Sequence, residues 1–175
     1  MTNKGIDLKG YIRSIPDWPK KGILFRDITP LLGDAKAFAA AIERLAAGFA
    51  DAGIDYVAAV EARGFIFGSA VAERLGAGFI PIRKAGKLPY KTERVTYDLE
   101  YGTDTLEVHC DAVRRGTKVL MVDDLLATGG TMAAACRLIE KIGGRVAGIA
   151  FLVELCELAG RDKLGEYKIS ALISY

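Results

Sequence analysis

A chain of 175 residues, 51% of them hydrophobic, suffices for one well-buried core and falls short of two ordinary domains, so a single domain over 1–175 is expected. A formal net charge of +2 argues against the polyelectrolyte character that nucleic acid or an anionic membrane would select, and any anion binding has to be local. The three cysteines, Cys110, Cys136 and Cys156, lack C-x-x-C spacing, which points to neither a zinc site nor a disulfide framework and suits a reducing cytoplasm.

In chain order, MTNKGIDLKG has no apolar stretch of the signal-peptide kind. Ile6, Leu8, Tyr11 and Ile12 fall at helical spacing, and Pro16, Pro19 and Gly22 then break the chain before Ile23-Leu24-Phe25-Arg26-Asp27-Ile28, so a short helix leads into an extended segment. Phe25, a lone aromatic between aliphatics, reads from these residues alone as core. Asp34 is a suitable N-cap for an Ala-rich helix with Phe38, Ile42, Leu45 and Phe49 on one stripe and Gly53 as its stop. Residues 56–60 form a buried strand ending in Glu61-Ala62-Arg63-Gly64, and a helix follows through Phe65, Val71 and Leu75 to Gly76. An arginine beside a turn is, taken alone, more often plain surface. With a strand end, a glycine and a helix N-terminus around it, the stretch suits an anion.

Residues 79–82 read as a third strand, after which come Arg83, Lys84, Lys87, Lys91 and Arg94 with Glu93 alone opposing them in sequence. That is a local cationic field on an excursion punctuated by Gly86 and Pro89. Residues 96–102 and 105–109 read as two strands of a projecting hairpin, the second alternating Leu106 and Val108 with Thr105, Glu107 and His109. On this evidence Glu100 is one exposed acid among others and His109 is structural. Residues 146–153 form a further strand, the longest apolar run in the chain and far too short to span a bilayer. A helix over 157–164 and an edge strand over 168–174 complete the pattern.

The most informative stretch is VLMVDDLLATGGT, residues 119–131. Its four leading apolar residues lack polar alternation, as in a strand buried on both faces of a parallel sheet, and such strands carry function at their carboxyl ends. Asp123 and Asp124 there suit neighbouring sugar hydroxyls or a hydrated divalent cation. Ala127, Thr128, Gly129, Gly130 and Thr131 let backbone N–H groups approach an anion at a helix N-terminus, and the helix itself carries Met132, Ala135, Leu138, Ile139 and Ile142 before Gly143-Gly144. No G-x-x-x-x-G-K-[ST] and no G-x-G-x-x-G after the first strand occurs, which removes a Walker-type triphosphatase and a dinucleotide-binding fold.

VLMVDDLLATGGT resembles the 5-phosphoribosyl-1-pyrophosphate (PRPP) site of type I phosphoribosyltransferases. The resemblance implies that Asp123 and Asp124 meet the ribose hydroxyls and that residues 127–131 cradle the 5-phosphate. IPDWPKKGILFRDITPLL is similar to the amino-terminal stretch of the adenine phosphoribosyltransferase family, which implies that Phe25 stacks on the purine while the main chain of Leu24 and Arg26 reads its edge. EARGF resembles that family's pyrophosphate loop, placing Glu61, Ala62 and Arg63 at pyrophosphate, with Arg63 also catalytic and a cis peptide at Glu61-Ala62. RKAGKLP is similar to the stretch in which Arg83, Lys84 and Lys87 approach pyrophosphate, the arginine from a neighbouring subunit; Ala85 stands where a bulkier residue or proline is expected. YDLEYG resembles the catalytic loop, with Glu100 as acid/base and Tyr101 closing over PRPP. FLVEL and GRDKL also look like the family's, so the likeness runs from about Ile6 to Ile173.

The fold implied is α/β, a doubly wound, mostly parallel sheet flanked by helices, with a base-binding hood segment over 1–33 and a flexible hairpin lid over 84–109. The activity implied is transfer of the phosphoribosyl group of PRPP to adenine, giving AMP and pyrophosphate. Mg²⁺ enters with PRPP, held mainly by PRPP and water rather than by a protein metal site. The expected partners are adenine, PRPP and a second copy in a cytoplasmic homodimer, with no nucleic acid and no membrane. A 6-oxopurine enzyme would share the PRPP site and differ in base recognition. A purine-sensing regulator would need an added DNA-binding segment or a strongly basic face, and the short amino terminus and low net charge offer neither.

Overall fold

A computed structural model of the chain describes residues 5–98, 102–165 and 167–175, which fall into two compact units, 1–44 and 45–175. In the first unit the expected short helix is a single 3-10 turn, Leu8–Tyr11, capped by Asp7. It ends so soon because the Ile12 N–H closes the turn on the Lys9 carbonyl and the chain becomes extended. Strand β1, Arg13–Pro16, and strand β2, Leu24–Asp27, pair antiparallel with Ile15 opposite Phe25. The connection between them holds Asp17 in the left-handed region, and its carboxylate accepts from the Gly22 N–H at 2.7 Å. Helix α1, Thr29–Gly33, has Pro30 in its first turn, and Asp27 accepts from both the backbone N–H and the hydroxyl of Thr29.

Helix α2, Ala35–Ala47, starts where Asp34 accepts from the N–H groups of Lys36 and Ala37, at 3.0 and 2.8 Å, so the expected cap forms. Its buried stripe is set by Ala37, Ala41, Ile42 and Leu45, while Phe38 is only half-buried. The helix stops at Ala47, ahead of the expected Gly53.

The second unit is built on a seven-stranded sheet. Its strands are β3 (Tyr56–Val60), β4 (Gly78–Lys84), β5 (Thr92–Asp98), β6 (Thr103–His109), β7 (Lys118–Leu126), β8 (Arg145–Glu154) and β9 (Ile169–Ser174), in spatial order β5-β6-β4-β3-β7-β8-β9. The five from β4 to β9 in that order run parallel, and β6 and β5 add antiparallel strands at one side. Helix α3, Arg63–Leu75, connects β3 to β4 and stops at Gly76 in the left-handed conformation; helix α4, Gly130–Lys141, connects β7 to β8. This is the expected mostly parallel α/β sheet flanked by helices.

Val119, Leu120, Met121 and Val122 are fully buried, as an unalternating central strand requires. Each such side chain contributes about 1.5–3 kcal/mol by leaving water. Strand β7 runs further than the apolar run suggests, because Asp123, Leu125 and Leu126 continue the ladder opposite Phe151, Val153 and Glu154. The hairpin of β5 and β6 is less free than expected: Arg83 and Lys84 of β4 pair with Glu107 and Leu106, which makes it an extension of the sheet. The helix expected over 157–164 is replaced by two 3-10 turns, Cys156–Leu158 and Gly160–Lys163, with Ala159 between them at φ 49° breaking any α-helical continuation.

Candidate active site

Strands β3 and β7 are parallel neighbours, with Tyr56 opposite Val119, so their carboxyl ends open on the same edge of the sheet. That brings together two motifs more than fifty residues apart in sequence: the turn 61–64 and the stretch 123–132 line one cavity of about 470 Å³, with Lys84 at its wall. The first turns of α3 and of α4 both border it, each with backbone N–H groups that have no intrahelical acceptor.

Between these helix ends stand the aspartates. Asp124 is buried and bound to Arg63, whose Nε lies 2.9 Å from its Oδ2. Asp123 accepts from the Asp124 N–H at 2.9 Å through Oδ1 and keeps part of its surface open to the cavity. Gly64 makes room for it, since a Cβ there would come within 2.7 Å of Asp123 Oδ1. Burial, and after it the charge of Asp124, pushes the Asp123 carboxyl well above the ordinary carboxylate range. Burial raises Asp124 as well, with the Arg63 guanidinium opposing it. The pair therefore holds charge at a cost that ligand hydroxyls or cations would relieve.

The turn at 61–64 contains a cis Glu61-Ala62 peptide. Glu61 accepts from the Lys84 backbone N–H at 2.6 Å and from Arg83 Nη2 at 3.1 Å. Burial works against its charge, but these two donors outweigh it and hold its carboxyl below the ordinary range. Arg83 also donates to the Lys87 carbonyl at 3.1 Å, so Glu61 and Arg83 brace each other within one chain. Lys84 lines the cavity and pairs with Asp104, which also accepts from the Tyr97 hydroxyl at 3.3 Å; that hydroxyl in turn accepts from Thr131 at 3.3 Å. Lys87 is not among the lining residues.

The cationic field read from sequence is thus partly balanced in space, with Arg83 on Glu61, Lys84 on Asp104 and Arg94 on Glu107, while Glu93, the acid that opposed it in sequence, pairs instead with Lys141 of α4. Sequence reasoning missed Asp104 and Tyr97, because only the β5–β6 register, which sets Tyr97 opposite Asp104, brings them to Lys84. His109 lies against Tyr90 and does not line the cavity. Glu100 and Tyr101 lie outside the described residues.

Ala127, Thr128, Gly129, Gly130 and Thr131 all line the cavity, with Gly129 as the N-cap of α4 at φ 77°. Leu24, Phe25 and Arg26 belong to the other unit, on β2. There the Phe25 ring meets Trp18 edge-on, centroids 4.3 Å apart, and Arg26 donates to Ser14 Oγ at 2.5 Å. Trp18, half-exposed beside Phe25, is a neighbour that the sequence pattern did not single out. Among the described residues no group of three or more His, Cys, Asp or Glu side chains gathers as a metal site.

The chain matches the family model for the phosphoribosyl transferase domain over residues 31–172. It is 55% identical to adenine phosphoribosyltransferase of Pseudothermotoga lettingae over 97% of this chain and 100% of that one. The crystal structure of adenine phosphoribosyltransferase from Thermoanaerobacter pseudethanolicus superposes with a TM-score of 0.94 at 55% identity, covering 99% of this chain and 100% of that one. That of the Saccharomyces cerevisiae enzyme, complexed with adenine and an imino-altritol bisphosphate, gives 0.89 at 40% identity, covering 94% and 96%. With these likenesses running nearly end to end, over a fold and cavity of the kind described, the chain belongs to the adenine phosphoribosyltransferase family of phosphoribosyl transferase domains.

Proposed function

We propose that this chain transfers the 5-phosphoribosyl group of PRPP to adenine, releasing AMP and pyrophosphate in purine salvage. The observation that carries the reading is one cavity with a carboxylate pair between two helix N-termini. PRPP has the matching order of groups, a monophosphate and a diphosphate at the two ends of a ribose diol. In the reaction a purine nitrogen bonds to the anomeric carbon, the carbon–oxygen bond to pyrophosphate breaks, and the purine nitrogen loses its proton.

The loop 127–131 anchors the 5-phosphate through backbone N–H groups and the Thr128 and Thr131 hydroxyls. Asp123 and Asp124 accept from the ribose hydroxyls and lie near the positive charge that the sugar acquires in the transition state. The α3 turn with Arg63 and Lys84 receives the leaving diphosphate, and the Glu61–Arg83 brace keeps that wall in place. By the likeness of YDLEYG to the family's loop, Glu100 manages the purine proton, an effect worth about 10²–10⁴-fold, and Tyr101 closes over PRPP. Leu24, Phe25 and Arg26 recognise adenine.

A hydrated divalent cation fits the donor set, since Asp123 opens on the cavity while Asp124 is committed to Arg63. Magnesium bound with PRPP supplies charge neutralisation on the diphosphate. The family likeness also supports a homodimer working in the cytoplasm, and no helix among the described residues is long and apolar enough to cross a membrane. The test is an assay of AMP formation from adenine and PRPP with Mg²⁺: stoichiometric AMP and pyrophosphate are expected, and their absence from the purified protein overturns the reading.

A further inference from the structure

GRDKL, residues 160–164, lies outside the cavity, and nothing in the proposed reaction uses it. Its backbone nevertheless rests against the anion loop. A Cβ on Gly129 would collide with the Gly160 carbonyl oxygen, and a Cβ on Gly160 would collide with the Ala127 carbonyl oxygen. The two segments therefore touch backbone to backbone at two points, an approach that only glycine at both positions allows.

The turn that makes this contact is itself clamped. Arg161 donates from Nε to Glu154 Oε1 and from Nη2 to Oε2, both at 2.6 Å, a bidentate pair with Glu154 buried. Glu154 is the ladder partner of Leu126, the last residue of β7 before the loop, and the Leu155 N–H bonds the Leu126 carbonyl at 2.9 Å. The other end of the turn is held by Leu164, which is buried and donates to the Arg161 carbonyl at 2.9 Å. The guanidinium fork thus ties the Gly160 turn to the strand end that launches the loop.

We infer that Gly160, Arg161 and Glu154 are positioning residues for the 5-phosphate subsite, forming a buttress that fixes the backbone N–H groups of 127–130 before ligand arrives. A loop of small residues and glycines is otherwise free to spread over many conformations, and ordering it on binding would weaken the anion site. The inference rests on the reading of that loop as the 5-phosphate site. It assigns to Glu154 and Arg161 a role in ligand affinity, where a plain surface ion pair would contribute only to stability.

The experiment compares wild type, Gly160→Ala, Glu154→Gln and Arg161→Lys by calorimetric titration with ribose 5-phosphate and, separately, with magnesium pyrophosphate, alongside KM for PRPP and adenine. Gly160→Ala should weaken ribose 5-phosphate about tenfold or more, since a displacement of about 1 Å at a binding group has effects of this order. Glu154→Gln and Arg161→Lys should each weaken it several-fold, the lysine failing because it cannot supply the fork. Pyrophosphate affinity and KM for adenine should stay near wild type in all three. Arg161→Lys leaves the backbone unchanged and keeps the test valid if the Gly160 variant does not fold. Ribose 5-phosphate binding equal to wild type in the folded variants, or equal weakening of both ligands, overturns the inference while the 5-phosphate reading stands. A wild type that binds no ribose 5-phosphate overturns both.

Discussion

Asp123 and Asp124 look alike in sequence and differ in the fold: Asp124 is paired with Arg63 at 2.9 Å, whereas Asp123 accepts from the Asp124 N–H and faces the open cavity. In the proposed reaction Asp123 is the group held for ligand at the expense of stability. Its carboxyl is raised by burial and then by Asp124, so the folded chain binds that proton more tightly than the unfolded one. Its contribution to stability is full below the unfolded value near 3.8 and is lost as pH rises through the raised folded value. Asp123→Asn removes this ionisation while retaining an oxygen for the Asp124 N–H. The variant should be more stable than wild type at pH 7, read as a higher Tm. That advantage should shrink towards pH 4 in scanning calorimetry. The same substitution should weaken PRPP by about 1.5–3 kcal/mol through a lost charge-assisted hydrogen bond. A variant that is less stable at neutral pH, or that keeps wild-type PRPP kinetics, contradicts this division of roles.

At the scale of elements, the hairpin of β5 and β6 reaches the site through Tyr97, whose hydroxyl accepts from Thr131, and through Asp104, which fixes Lys84 while accepting from Tyr97 and from its neighbour's N–H, at 3.3 and 2.8 Å. Burial draws the Lys84 ammonium down, but Asp104 outweighs it and keeps the group charged. If Asp104 acts through Lys84, then Lys84→Met and Asp104→Asn should each lower kcat/KM for PRPP by about tenfold, the order of one charge-assisted hydrogen bond. The double variant should be no worse than Lys84→Met alone. Additive losses would assign Asp104 a separate, purely structural part. This contact shows what the sequence left unread. Alternation announced the hairpin, and the apolar run 119–122 announced the central strand, because both are local patterns. Which acid meets which lysine depends on register and on the sheet edge where the hairpin docks, and neither is local. The helix expected over 157–164 gives way for a reason of the same kind: Ala159 turns left-handed at φ 49° between two 3-10 turns, and Gly160 then packs backbone to backbone on the loop, neither of which shows in the local sequence.

Across the whole molecule, the groups proposed for the sugar phosphates and those proposed for the base lie in different compact units, 45–175 and 1–44. The Gly-rich and diacidic stretches were legible because anion and diol chemistry needs particular residue types in a particular order. Phe25 was not, since its ring and the main chain beside it look the same as core in a sequence. Base selectivity is the property that tests it. Leu24 and Arg26 are two apart on β2 and turn their backbone polar groups to the same edge, with Phe25 between them. Adenine presents an amino donor at C6 beside an acceptor at N1, which a strand carbonyl and N–H can satisfy together. Hypoxanthine reverses both, setting oxygen against carbonyl and N–H against N–H. Each unpaired group costs about 1–3 kcal/mol, so adenine should be preferred by about 10²-fold or more in kcat/KM without a dedicated side chain. Leu24→Ala and Arg26→Ala should keep that ratio, whereas Phe25→Ala should raise KM for either base and leave KM for PRPP near wild type. Competition between the two bases decides it: comparable kcat/KM in the wild type would mean that the main chain of β2 does not read the purine edge, and a ratio that collapses in Leu24→Ala or Arg26→Ala would move recognition to those side chains.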